Sequence, residues 1–153
     1  MRLGAKLAAP DRAVVAVVGD GGFLLMPSAV ATAVQYEIPA VWLVWNNQGF
    51  ISIRDQQRSY FGEERQLATS FVRAGTGEPY SADFAALGRS MGATGITVEA
   101  PGELAGALEA ALAGRHPTVV DVHVDPDAAQ PAPASWDLPP LPHPEPSVGW
   151  SET

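Results

Sequence analysis

The sequence has no cysteine. That excludes disulfides, thiolate metal sites and a cysteine nucleophile, and it agrees with an expected cytoplasmic location. Lysine occurs once, at Lys6, and no Lys/Arg cluster exists anywhere in the chain. With a net charge of −8, the chain opposes non-specific nucleic-acid binding, so no nucleic-acid partner is expected. No apolar run approaches the length of a membrane span, and the N-terminus lacks the apolar core of a signal peptide. Membrane association is therefore not expected. Two phosphate-binding signatures are also missing. The glycine turn at Gly19 does not complete a GxGxxG pattern, because position 24 is leucine, and no Gly-Lys-Ser/Thr follows it. The three histidines (His116, His123 and His143) show no ligand-like spacing.

What is present is an apolar chain of 153 residues, 46% hydrophobic and 17% charged, enough for one globular domain with a sizeable core. It is organised around Val14 to Gly49. Val14 to Val18 is an apolar, β-branched run of strand length. Gly19-Asp20-Gly21-Gly22 forms a sharp turn carrying an acid. A helix is predicted from about Pro27 to Glu37, with Ser28 as cap and Ala29, Ala33 and Tyr36 on one face. Ile38-Pro39 breaks it, and a second apolar run, Ala40 to Trp45, ends in Asn46-Asn47. Strand, helix, strand implies parallel strands joined by a right-handed crossover. Asp20 then ends one strand and Asn47 follows the next. Both belong to the carboxyl edge of the sheet, where open α/β sheets bind ligands.

A carboxylate, a carboxamide and a backbone carbonyl at Gly49 are three hard oxygen donors. They suit Mg²⁺, which keeps octahedral geometry and usually binds phosphate oxygens as well. Glycines beside Asp20 let backbone N–H groups approach those phosphates, and a helix expected to begin after Gly22 favours anions. The layout suits a metal-bridged diphosphate. Taken alone, Asp20 is equally a residue that closes a tight turn. Its pairing with Asn46-Asn47 carries the stronger reading.

Gly19-Asp20-Gly21, then 24 residues, then Asn46-Asn47 resembles the thiamine diphosphate signature of the acetolactate synthase and pyruvate decarboxylase superfamily. The likeness runs from Leu3 to about Asp125. It includes Gly4 to Arg12, Phe84-Ala85-Ala86-Leu87-Gly88 and Thr118-Val119-Val120-Asp121-Val122. It implies that Asp20, Asn47 and the Gly49 carbonyl hold Mg²⁺, that Gly19, Gly21 and Gly22 line the diphosphate, and that Phe50 and Ile51 belong to the cofactor site. Asn46 is expected to hold the loop by hydrogen bonds. One departure stands out. Six residues after the metal-binding asparagine the pyruvate decarboxylase branch carries a catalytic glutamate, and here that position is Ile53. Ile51 and Ile53 read as apolar walls of the site or as plain core. No catalytic residue is assigned.

The rest of the chain follows the same pattern. Ile51 to Arg58 reads as a short helix, and Tyr60-Phe61-Gly62 and Gly75 to Tyr80 as loop. Ser81 is the expected cap of a helix from about Ala82 to Met91. Ala93 to Val98 is a strand, Pro101 opens a helix to Ala113, and Gly114 is its C-terminal cap. Thr118 to Val124 is the last strand, with Val120, Val122 and Val124 alternating against Asp121 and His123. Trp42 and Trp45 are expected in the core. Arg54, Arg58 and Arg65 read as surface ion-pair partners or contacts for an acidic substrate. Eight prolines lie between Pro126 and Thr153. That stretch reads as a tail without regular structure, with Trp136-Asp137-Leu138 as its anchor.

The expected fold is thus α/β, a three-layer α/β/α arrangement with a mostly parallel sheet. Residues 1–125 form the thiamine diphosphate-binding domain, and residues 126–153 an irregular Pro-rich tail. The family's longer lead-in is not found before Met1, so the domain is expected to be incomplete there and to lack one strand. The resemblance implies thiamine diphosphate and Mg²⁺ as cofactors, and a carboligase or decarboxylase acting on 2-oxo acids. The activating glutamate of that family comes from a pyrimidine-binding domain, which this chain lacks. A pyrimidine-binding domain or subunit is the expected partner, in a homo- or hetero-oligomer, and the chain alone is expected to be inactive. The alternative is a non-catalytic module that keeps the fold and serves association with a partner.

Overall fold

The structure is a computed structural model and describes residues 2–128. The chain runs through α1 (Arg2–Ala8), β1 (Val15–Gly19), α2 (Asp20–Leu24), α3 (Ser28–Gln35), β2 (Val41–Asn46), α4 (Ile51–Phe61), α5 (Phe84–Ser90), β3 (Thr94–Val98), α6 (Leu104–Ala113) and β4 (Thr118–His123). The four strands form one parallel sheet in the order β1-β2-β4-β3. Val17 of β1 pairs with Leu43 of β2, which pairs with Val120 of β4. The register puts the carboxyl ends of all four strands on one edge, as the crossover rule requires.

Helices cover both faces, which gives the three layers. On one face Phe23, Val30, Ala33, Trp42, Val44, Phe84 and Val119 form a continuous core. Phe23 and Phe84 meet edge to face, 5.6 Å between ring centroids. On the other face Val41, Leu43, Val98, Ala111, Val120 and Val122 pack with Leu104 and Leu108 of α6. Each fully buried side chain of this size contributes about 1.5–3 kcal/mol relative to exposure. β2 is buried along most of its length, in keeping with its unbroken apolar run, whereas the equally apolar β1 is an edge strand with Val15 and Val17 exposed, and the inner β4 carries Asp121 within its run.

Several local expectations shift. The acidic turn is itself helical, because α2 begins at Asp20 and closes after five residues. The helix expected to begin after Gly22 thus starts at Asp20, and the next one, α3, begins only at Ser28. Ser28 is the first residue of α3 rather than its cap, and its hydroxyl makes no capping bond. Val30 and Ala33 face the core, whereas Tyr36 is exposed. Tyr60 and Phe61 belong to the last turn of α4 rather than to a loop. Helix α5 is capped by Asp83, whose side chain accepts from the Ala86 N–H at 2.6 Å, and not by Ser81. A 3₁₀ turn, Pro101–Glu103, leads into α6, and Gly114 follows it as expected. Trp42 is buried, but Trp45 is 42% exposed. It lies at the carboxyl end of β2, lining an open cleft of about 270 Å³ with Val98, Leu104 and Val122. The alternation expected in β4 fails at Asp121, which is buried in the core-facing phase. Residues 129–153, including Trp136-Asp137-Leu138, lie outside the described residues.

Candidate functional site

The carboxyl edge of β1 and β2 brings the predicted residues together. Asp20 is the first residue after β1 and is 1% exposed. Its Oδ1 accepts from the Gly21 N–H at 2.7 Å, and its Oδ2 accepts from the Gly49 N–H at 2.9 Å. The second bond spans 29 residues and ties the turn after β1 to the loop after β2. Burial pushes the Asp20 carboxyl above its ordinary value, while the N–H groups of Gly21, Gly49, Gln48 and Asn47 pull the other way. Among the described residues it has no cationic side chain beside it. Four converging N–H groups stabilise the charge in place of a salt bridge.

The loop from Asn47 to Phe50 is held tightly. Gln48 takes a left-handed backbone, φ 61°, which costs a non-glycine residue roughly 1–2 kcal/mol. Such strain concentrates at functional sites. The Phe50 N–H donates to the Thr69 carbonyl at 2.7 Å, and the Gln48 carbonyl accepts from the Phe71 N–H at 2.8 Å. These bonds flank Gly49. A side chain at Gly49 would collide with the Thr69 carbonyl. A side chain at Gly21 would collide with the Phe50 ring. Phe50 also packs edge to face on Phe71, with centroids 5.6 Å apart. Glycine is thus required at both positions by close approach.

The remaining predicted residues fall as follows. Asn47 is half-buried, and no protein group among the described residues hydrogen-bonds its carboxamide. Gly19 and Gly22 are exposed. Ile51 is buried at the start of α4, whereas Ile53 is 46% exposed. Arg54 is not a surface arginine. It is 6% exposed, donates to the Pro126 carbonyl at 2.7 Å and pairs with Asp55 and Asp127. It ties the chain after β4 to α4. Arg58 is partly buried beside Glu63. His123 is exposed and stands 3.7 Å from Asp121.

Among the described residues no group of three or more His, Asp or Glu side chains is arranged for a metal. A set of one carboxylate, one carboxamide and one carbonyl has the character of a Mg²⁺ site completed by phosphate oxygens and water, rather than an all-protein cage. The half-buried Asn47 carboxamide, to which no described residue hydrogen-bonds, fits such a group, whereas the space over Gly21 and Gly49 is taken by Phe50 and Thr69 of the chain itself. Sequence reasoning missed Asp121, a buried carboxylate in the sheet. Its one signal was an acid inside an otherwise valine-rich run.

Comparison with known proteins identifies the family. The family model of the thiamine pyrophosphate enzyme C-terminal TPP binding domain matches residues 1–122. The acetolactate synthase of Bacillus subtilis (strain 168) is 36% identical over 123 residues, covering 80% of this chain and 20% of that protein. A 2-hydroxyacyl-CoA lyase of Oryza sativa subsp. japonica is 37% identical over 127 residues, covering 81% of this chain and 21% of that enzyme. The solved structure of the Rhodococcus jostii RHA1 thiamine diphosphate-dependent 4-hydroxybenzoylformate decarboxylase superposes with a TM-score of 0.70 at 28% identity, over 81% of this chain and 22% of that one. The chain spans about a fifth of the length of these relatives. No helix among the described residues is long and apolar enough to cross a membrane. The four-stranded parallel sheet, the loop pair at its carboxyl edge and the match across residues 1–122 place the chain in the family of C-terminal thiamine pyrophosphate-binding domains of thiamine pyrophosphate enzymes.

Proposed function

We propose that this chain supplies the diphosphate- and Mg²⁺-binding half of a thiamine diphosphate site in an enzyme acting on 2-oxo acids. The observation that carries the reading is the convergence of Asp20 with the Asn47–Gly49 loop at one sheet edge. Asp20, Asn47 and the Gly49 carbonyl would hold the cation, and Gly19, Gly21 and Gly22 would admit the diphosphate. Phe50 offers apolar surface beside it, with Ile51 buried behind. Bound thiamine diphosphate supplies the electron sink for making or breaking a carbon–carbon bond next to a carbonyl. This chain's own residues bind the anionic end, fix its orientation and help exclude water.

Nothing in this arrangement moves a proton at the reacting end, and Ile53 offers no acid or base. The proposed partner is therefore a pyrimidine-binding domain or subunit that completes the site. Large apolar side chains stand exposed on the flanking segments: Leu24, Leu25, Met26, Phe50 and Ile53. A partner covering them would both bury apolar area and dry the cofactor. The cysteine-free composition is in keeping with a cytoplasmic enzyme.

Thermal unfolding tests the proposal. Thiamine diphosphate with Mg²⁺ is expected to raise Tm, and chelation of the metal to abolish the gain. An unchanged Tm at saturating ligand would sink the reading. The chain alone is expected to give no turnover with pyruvate, and turnover would refute its dependence on a partner.

A further inference from the structure

The buried carboxylate of Asp121 has no part in the reading above. It lies on β4 between two core valines and is 1% exposed. Packing alone would favour an apolar residue at such a position, since an uncompensated buried charge is costly. Both oxygens are matched to donors from different elements. Oδ1 accepts from Asn46 Nδ2 at 2.9 Å, and Oδ2 accepts from the Phe84 N–H at 3.0 Å.

Asn46 is the last residue of β2 and directly precedes Asn47. It is 2% exposed. Its Nδ2 also lies 2.8 Å from Ser81 Oγ, whose hydroxyl lies 3.1 Å from Asn46 Oδ1. Its carbonyl accepts from the Val124 N–H at 2.9 Å. Asn46 is thus fixed by β4, by the segment before α5 and by the chain leaving the sheet. One residue later the backbone enters the strained turn at Gln48 and then reaches Asp20 through Gly49. Side-chain networks of this kind rigidify what they join.

We propose that Asp121, acting through Asn46, is a positioning residue that sets the geometry of the Asn47–Gly49 loop, and so of the oxygen donors at its tip. The second half of that statement rests on the proposed diphosphate and metal site. The first half stands on the hydrogen bonds alone.

A carboxylate accepts at both oxygens, whereas a carboxamide accepts at one and donates from the other end. Asn46→Asp keeps the shape but sets two carboxylates against each other, which no side-chain flip relieves. Combining it with Asp121→Asn restores the match. The carboxamide at 121 then donates to the carboxylate at 46 and accepts from the Phe84 N–H, while the Ser81 hydroxyl donates to the other oxygen at 46. A merely space-filling role would not produce this reciprocity.

The test uses the full chain and two readouts. Hydrogen exchange of the Gly49 amide reports the loop without any ligand. Asn46→Asp is expected to speed it at least about tenfold, while amides of α6 change far less, and the double variant is expected to restore it. Titration with thiamine diphosphate reads the Mg²⁺ concentration at half-saturation, expected to rise about 10- to 100-fold in Asn46→Asp and to recover in the double variant. If Asn46→Asp does not fold, Ser81→Ala perturbs the exposed end of the same network and is expected to speed Gly49 exchange to a smaller degree. Unchanged Gly49 exchange, or loss spread uniformly over the sheet with no rescue, would overturn the proposal. If the unaltered chain binds no thiamine diphosphate, the functional reading fails, and the exchange readout still decides the role of Asp121.

Discussion

Asp20 bears opposing costs. Burial penalises its charge, and four backbone N–H groups offset part of that penalty. The native value therefore lies above the unfolded one. The protonated carboxyl favours the metal-free fold, and that contribution is lost as pH rises through the native value. A divalent cation needs the ionised form. The rise in Tm on adding Mg²⁺ and thiamine diphosphate is thus expected to grow as pH rises through the same value. The Asp20→Ala response, subtracted at each pH, removes the ligand's own titration. A gain independent of pH, or one surviving in Asp20→Ala, would contradict this. The glycines give a second prediction. Gly21→Ala meets a side chain, the Phe50 ring, that can move, so the expected cost is about 1–3 kcal/mol in denaturant unfolding. Gly49→Ala meets the Thr69 backbone and is expected to cost more. The reverse ranking would argue against the close approach described.

At the scale of elements, helix α5 separates two adjacent hydroxyl- and carboxylate-bearing candidates. Asp83→Ala is expected to cost about 1 kcal/mol as a lost N-cap. Ser81→Ala is expected to leave the helix capped and to act instead on Asn46. Helix content in the two variants, followed through urea unfolding, distinguishes the roles. This pair also shows where the sequence was ambiguous. Ser81 and Asp83 both have cap-forming side chains; Asp83 accepts from the Ala86 N–H, while the Ser81 hydroxyl is engaged with Asn46. β2 was legible because both its faces are buried, which leaves an unbroken apolar run. The same burial hid Asp121, since alternation assigns an acid to solvent unless its partners are known. Those partners, Asn46 and the Phe84 N–H, are 75 and 37 residues away. Trp45 was misplaced for a related reason, because a strand's end extends past the helices that cover its middle.

For the molecule as a whole, the candidate site was legible because two short motifs sit at the ends of neighbouring parallel strands. The β1–β2 register, Gly19 opposite Trp45, places the turn carrying Asp20 beside the loop carrying Asn47. What the sequence did not disclose is how the loop is braced, by Thr69, Phe71 and the carboxylate of Asp121. The exposed apolar residues beside the site are what the proposed pyrimidine-binding partner would cover. Mixing this chain with a separately produced pyrimidine-binding domain of the same enzyme is expected to yield turnover of a 2-oxo acid that neither part shows alone. Inactivity of a stable, cofactor-loaded mixture would contradict that division of labour.

Asp20 and the Asn47–Gly49 loop are proposed to hold a metal-bridged diphosphate together. Calorimetric titration of the chain with thiamine diphosphate, with and without Mg²⁺ and beside Asp20→Ala, tests this. Saturable binding that requires Mg²⁺ and is lost in the variant is expected. Binding indifferent to Mg²⁺ or to Asp20→Ala, or no binding by the folded chain, would contradict it.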